Sequence, residues 1–130
     1  MREYRQPIQL YPIGYVENEF TDPGDSRQAK FNESRIVIDP DLVTGLQGLE
    51  PGHSVMVLFH FDRVHDFELL QHPRGNSYNP KRGVFTIRSP RRPNFIGVTI
   101  VEIIAIEKST LRVRGLDAFD GTPIIDLKPA

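Results

Sequence analysis

The chain has 130 residues, of which 38% are hydrophobic, enough for one domain-sized core. Sixteen basic and seventeen acidic residues leave a net charge of −1, so overall charge does not announce a nucleic-acid or membrane partner. The absence of cysteine excludes a disulfide framework, an iron–sulfur cluster, a thiolate zinc site and a cysteine nucleophile. No apolar run reaches 18 residues and the N-terminus has no secretory pattern, so the expectation is a soluble, cytoplasmic, single-domain protein over residues 1–130 without membrane contact.

The first predicted strand is Gln9 to Val16, with Pro12 and Gly14 marking an edge or a bulge. A loop with the composition of Thr21 to Ala29 follows, then a short strand from Ser34 to Ile38. Asp39 and Pro40 read as an N-cap and a first-turn proline. Leu42, Val43, Leu46 and Leu49 behind them predict one short helix ending near Gly48. Ser54 to Phe61 is a continuous apolar run and the best candidate for a central strand. Residues 62–80 have weak periodicity and read as a long loop.

Two more strands are predicted at Val84 to Arg88 and Gly97 to Glu107. Leu111 and Val113 then alternate with Arg112 and Arg114 beyond a turn at Lys108, and Thr122 to Leu127 closes the series. Six or seven strands and one short helix, with no strand–helix–strand rhythm, predict a mainly β fold. Its expected form is a small antiparallel β-barrel.

Charge is unevenly distributed. Leu69 to Val101 contains no Asp or Glu but holds Arg74, Lys81, Arg82, Arg88, Arg91 and Arg92. Taking six from sixteen bases leaves ten against seventeen acids elsewhere, so a +6 segment sits beside a −7 remainder. This pattern fits a surface for phosphates or carboxylates, or arginines paired with acids elsewhere in the fold.

Several motifs are missing. No Gly-x-Gly and no Gly-rich loop ending in lysine occurs, so the usual dinucleotide and phosphate-loop signatures lack support. His53, His60, His65 and His72 form no metal-binding doublet, and no metal is expected.

Four segments carry chemistry. In Gly83 to Gly97, Pro90 and Pro93 stiffen a corner that presents Arg88, Arg91 and Arg92. In Leu116 to Pro129, Asp120-Gly121 is a turn signal. Asp117, Asp120 and Asp126 could hold a divalent ion, or bind ribose hydroxyls or an ammonium group. Ser26, Arg27 and Gln28 lie in the early loop, and Asp62 and Arg63 leave the central strand where a pocket mouth would form.

In this order the segments resemble the TsaA-like family, whose best-known members are TrmO-type tRNA adenine-N6 methyltransferases. The resemblance rests on Pro12 to Val16, Ser26 to Gln28, Val43 to Glu50, Arg88-Ser-Pro-x-Arg-Pro-Asn-x-Ile-Gly97 and Asp117 to Pro129, and it covers nearly the whole chain. It implies a β-barrel that binds S-adenosylmethionine without a Rossmann fold, forms a homodimer with the cofactor near the subunit interface, and methylates N6 of threonylcarbamoyl-adenosine beside the tRNA anticodon.

Carried over position by position, the implied cofactor contacts are Ser26, Arg27, Gln28, Asp62, Arg63, Arg88, Ile100, Asp117, Ala118, Phe119 and Asp120. Lys81, Arg82, Arg91 and Arg92 suit the phosphates of an anticodon loop. No catalytic base stands out. Phe95 replaces a proline of the familiar pattern, Asp62-Arg63 replaces a His-Gln pair, and the resemblance ends with the sequence just after Lys128 and Pro129. The alternative functions are an S-adenosylmethionine-binding sensor without transferase activity, and a carboxylate-based metal hydrolase.

Overall fold

The computed structural model describes residues 6–19 and 32–130. Six strands close into an antiparallel barrel: β1 (Gly14–Glu17), β2 (Glu33–Ile38), β3 (Ser54–His60), β6 (Ile96–Glu107), β7 (Thr110–Arg114) and β8 (Pro123–Pro129). Around the barrel the order is β1, β2, β7, β6, β3 and β8, with β8 returning to β1. A two-stranded ribbon, β4 (Leu70–Gln71) with β5 (Arg82–Gly83), stands apart from it.

Alternation decides which side chains fill the barrel. In β2, Ser34, Ile36 and Ile38 point inward; in β3, Val55, Val57 and Phe59 do; in β7, Leu111 and Val113 do. These meet Val16, Val101, Ile103, Leu116 and Ile124 in one core. Closure pairs every barrel strand on both sides, so the barrel itself has no free edge. The twelve-residue β6 serves both β3 and β7, with a register shift between Ile103 and Ala105 where it passes from one partner to the other. Gly14 has a backbone role, since any side chain there would collide with the Val37 carbonyl.

Three expectations need correction. The first strand begins only at Gly14, because residues 9–12 make no ladder and remain exposed. The predicted helix is a 3₁₀ helix, Pro40–Leu46, capped by the Asp39 carboxylate accepting the Asp41 N–H at 3.0 Å. Only Leu46 of its apolar residues is buried, so the helix rests on the barrel by one side chain.

Val84 to Arg88 alternates like a strand but forms a tight turn, Val84–Thr86. The Val84 N–H donates to Leu69 O at 2.8 Å and its side chain is buried. The Ile87 N–H then closes back on Val84 O. Local hydrogen bonds replace a ladder here, the Thr86 hydroxyl donating to Gly83 O and the Ile87 N–H to Val84 O.

Candidate functional site

A cleft of about 870 Å³ opens where β3 ends and β6 begins. Phe59, Phe61 and Val98 form apolar walls, while Asp62, Arg63, Arg88, Arg92 and Asp117 bring charge to it. Four segments distant in sequence meet there: the exit of β3, the turn and proline corner over residues 84–92, the start of β6, and the loop over residues 115–122.

The floor depends on one glycine. Gly97 faces Phe59 across the β3–β6 ladder, and the rings of Phe59 and Phe61 meet edge to face at 5.0 Å. A Cβ on Gly97 would lie 2.6 Å from Phe61 Cζ and 2.7 Å from two atoms of the Phe59 ring. The strand therefore admits the aromatic pair only because residue 97 lacks a side chain.

Arg63 ties two cleft segments together. Its Nη2 donates to Asp120 O at 2.9 Å, and its guanidinium lies 5.0 Å from the centroid of Phe119. The other side of that loop is held by Asn18. Its N–H donates to Asp120 Oδ1, and its side-chain amide donates to Ala118 O and to the buried Ser34 Oγ, all at 2.9–3.0 Å. Asn18→Ala breaks both amide bonds and is expected to destabilise the fold by about 1 kcal/mol. Urea unfolding should show a lower midpoint, whereas an unchanged midpoint would mean the loop is held by other contacts.

The proline corner assigns its arginines different tasks. Arg92 Nη1 donates to Ile87 O at 2.9 Å and Ser89 O at 3.2 Å, bracing the corner from inside the cleft wall. Arg91 turns away and pairs with Asp66 at 2.9 Å and Glu68 at 3.1 Å. The Asp66 hydrogen bond and charge, then those of Glu68, hold its guanidinium more firmly protonated. Arg88 makes no hydrogen bond or ion pair with the described residues, although it lines the cleft.

At the far end of the corner, Asn94 and Phe95 have φ of 67° and 53°. Proline's ring holds φ near −65°, so the chain at Phe95 follows a path that a proline could not take. Two successive left-handed residues outside glycine carry backbone strain, partly offset by the Phe61 N–H donating to Phe95 O at 2.8 Å.

Of the residues expected to meet the cofactor, Asp62, Arg63, Arg88, Asp117, Ala118 and Phe119 line this one cleft. Asp120 stands behind it, its carboxylate taken by Asn18. Ile100 is on the outward-facing side of β6, 53% exposed, and is not part of the cleft of its own chain. Ser26, Arg27 and Gln28 lie outside the described residues.

Among the residues expected to meet RNA, Lys81 and Arg91 line a second cleft of about 370 Å³ that shares Pro90 with the first. Arg82 is exposed on β5, and Arg92 belongs to the main cleft. The sequence reading missed Phe61, Phe85, Val98 and Thr99 as cleft residues. The apolar run ending at Phe61 and the Gly83–Gly97 segment held that signal, but apolar residues in strands read first as core.

The three acids that suggested a metal have separate surroundings. Asp120 accepts from Asn18, Asp126 pairs with Lys128 at 3.0 Å, and Asp117 faces the cleft. Among the described residues no group of three or more acidic or histidine side chains converges as metal ligands, and no helix is long and apolar enough to cross a membrane. Burial raises the Asp117 carboxyl above the ordinary aspartate range.

Residues 15–130 match the family described as tRNA-methyltransferase O N-terminal domain. The chain is 42% identical over 122 residues to an S-adenosyl-L-methionine-binding protein of Archaeoglobus fulgidus, covering 92% of this chain and 86% of that one. It is 36% identical over 131 residues to the mouse tRNA (adenine(37)-N6)-methyltransferase, covering 91% of this chain but 30% of the mouse protein. The crystal structure of TrmO from Pseudomonas aeruginosa superposes with a TM-score of 0.75 at 30% identity, over 96% of this chain and 56% of that one. The chain thus spans a little over half of that solved structure and less than a third of the mouse enzyme.

Proposed function

This chain belongs to the tRNA-methyltransferase O N-terminal domain family, and from that membership we propose that its cleft binds S-adenosylmethionine and serves methyl transfer to N6 of a threonylcarbamoyl-adenosine beside the tRNA anticodon. The observation that carries the reading is the composition of the cleft. Asp62, Arg88 and Asp117, which make no hydrogen bond or ion pair with the described residues, stand together on apolar walls, in a space within the usual range for a ligand of this size.

The residues suit the chemical groups of the cofactor. Arg88 is available for a carboxylate, and Asp62 and Asp117 for an ammonium group or a ribose diol. Phe61, Val98 and Phe119 offer apolar surface for a purine. When bound, S-adenosylmethionine supplies an electrophilic methyl group on a sulfonium.

The chain's own contribution is then chiefly positioning. Arg63 and Arg92 fix the loop and the corner that form two sides of the cleft, and the Phe59–Phe61 pair closes its floor to water. An exocyclic adenine amine has its lone pair delocalised into the ring, so alignment and loss of its proton are the two demands the site must meet.

The protein acts in the cytoplasm, where tRNA is modified, and as a homodimer. Support for the dimer comes from Ile100, which is exposed beside its cross-strand neighbour Met56, so that a second subunit could bring it to a cofactor.

Calorimetry with S-adenosylmethionine tests the cofactor half of this proposal. One site per chain is expected, with competition by S-adenosylhomocysteine; absence of binding removes the proposal at its root.

Asp117 gives a pH-dependent check. Because burial raises its carboxyl, the ionised form is less favourable in the folded chain than in the unfolded one. Stability is therefore lost as pH rises from the unfolded value through the folded one, and the loss is complete above the folded value. Because Asp117 keeps an exposed surface, Asp117→Asn should raise the urea midpoint only slightly at pH 7, lose that gain at pH ~3, where aspartate is largely protonated in both states, and weaken cofactor binding. A midpoint gain that persists at low pH would assign the effect to something other than ionisation.

A further inference from the structure

Phe85 is the most conspicuous apolar group at the mouth of the cleft. It lines the cleft yet remains 77% exposed, an unusual setting for a large aromatic ring. Its backbone is held on all sides. The buried Val84 anchors the turn, the Thr86 hydroxyl donates to Gly83 O at 2.7 Å, and the Ile87 N–H closes the turn on Val84 O. The ring is thus presented to solvent by a fixed turn, with little backbone freedom to lose on binding.

The segment that carries it is cationic. No acid occurs between Leu69 and Val101, and Arg82 and Arg88 stand three residues to either side of Phe85. Lys81 borders the second cleft, which joins the first at Pro90. An exposed ring on a segment rich in cations matches the chemistry of a single-stranded nucleic acid, whose bases offer flat faces and whose phosphates offer negative charge. A second copy of this chain would also cover the ring, but it would gain nothing from the flanking arginines unless it brought acids to them.

We infer that Phe85 is a stacking platform for an unpaired base next to the methylated one, with Lys81 and Arg82 of the same segment holding the connecting phosphates. This rests on the proposed tRNA substrate and adds a residue that orients it. The platform explains how a mouth this wide could hold one nucleotide in register: a base stacked on Phe85 limits how far its neighbour can enter the cleft.

The test uses an anticodon stem-loop RNA with threonylcarbamoyl-adenosine 3′ to the anticodon, and the variants Phe85→Leu, Phe85→Ala and Phe85→Trp. The Leu and Ala variants are expected to bind this RNA about tenfold more weakly, a larger loss than any in S-adenosylmethionine affinity, with oligomeric state unchanged. The Trp variant should bind at least as well as the parent. Because the chain contains no tryptophan, the introduced indole is a sole reporter, and its fluorescence should be quenched as the RNA is added.

Three results would overturn the inference. If the parent binds RNA and the Leu variant binds it equally, Phe85 is no platform although the tRNA reading survives. If the variants lose as much cofactor affinity as RNA affinity, or change oligomeric state, the ring belongs to the cofactor pocket or to a subunit contact. If the parent itself fails to bind the RNA, the substrate reading falls and the platform with it.

Discussion

Gly97→Ala should destabilise the protein by about 2 kcal/mol and weaken cofactor binding at the same time. The added methyl would come within 2.6–2.7 Å of both aromatic rings of the cleft floor. Phe59 cannot yield, since it is buried among the core side chains of the barrel. Phe61 is less buried, so it must give way, and its free direction is into the cleft. A loss of this size is a large part of the stability of a small domain.

The physical cause can be isolated by pairing Gly97→Ala with Phe61→Leu, which makes room for the new methyl. The pair should cost less than the sum of the two single changes, measured by urea unfolding with an unchanged m-value. Strict additivity would mean that the rings and the glycine are not coupled, and that the floor tolerates a side chain at position 97.

Arg88→Ala should raise the S-adenosylmethionine dissociation constant about tenfold, equal to about 1.4 kcal/mol, while leaving the unfolding midpoint within error of the parent. Arg88 makes no hydrogen bond or ion pair with the described residues, so its removal should not disturb the folded chain. The contrast with Arg92 sharpens the point. Arg92 holds two carbonyls of the corner, and Arg92→Ala should act first through stability. Equal affinity of the Arg88 variant and the parent would take Arg88 out of the ligand site.

The barrel was legible in the sequence because alternation carries it. Leu111 and Val113 alternate with Arg112 and Arg114, Ser54 to Phe61 is a continuous apolar run and Ser34 to Ile38 a short apolar stretch, and each holds a strand of the barrel whose alternate residues are buried. The same signal misled at Val84 to Arg88, where the period is present but the buried Val84 and the exposed Phe85 belong to a turn. Period alone cannot distinguish a strand from a turn that happens to bury one side chain and expose the next.

The candidate site was legible only in part. Polar residues at segment ends, such as Asp62, Arg63 and Asp117, pointed to a pocket and do line one. Phe61 and Gly97 did not, because their role arises from two strands meeting across a ladder, and no short stretch of sequence records that contact. The arginines of the corner were alike in sequence but differ in the fold. Arg91 answers to Asp66 and Glu68, Arg92 to backbone carbonyls, and Arg88 to the cleft. Which cation remains free for a ligand is decided by tertiary partners.

We propose that this cleft serves methyl transfer to a modified adenosine in tRNA. This is tested most directly by incubating the protein with methyl-labelled S-adenosylmethionine and tRNA, either bearing or lacking the threonylcarbamoyl group, and then separating the nucleosides. The predicted result is label on the threonylcarbamoyl-adenosine of the modified tRNA alone, reduced in the Arg88→Ala protein at limiting cofactor. Cofactor binding without label in either tRNA would contradict the claim and leave a protein that binds S-adenosylmethionine without transferring its methyl group to tRNA.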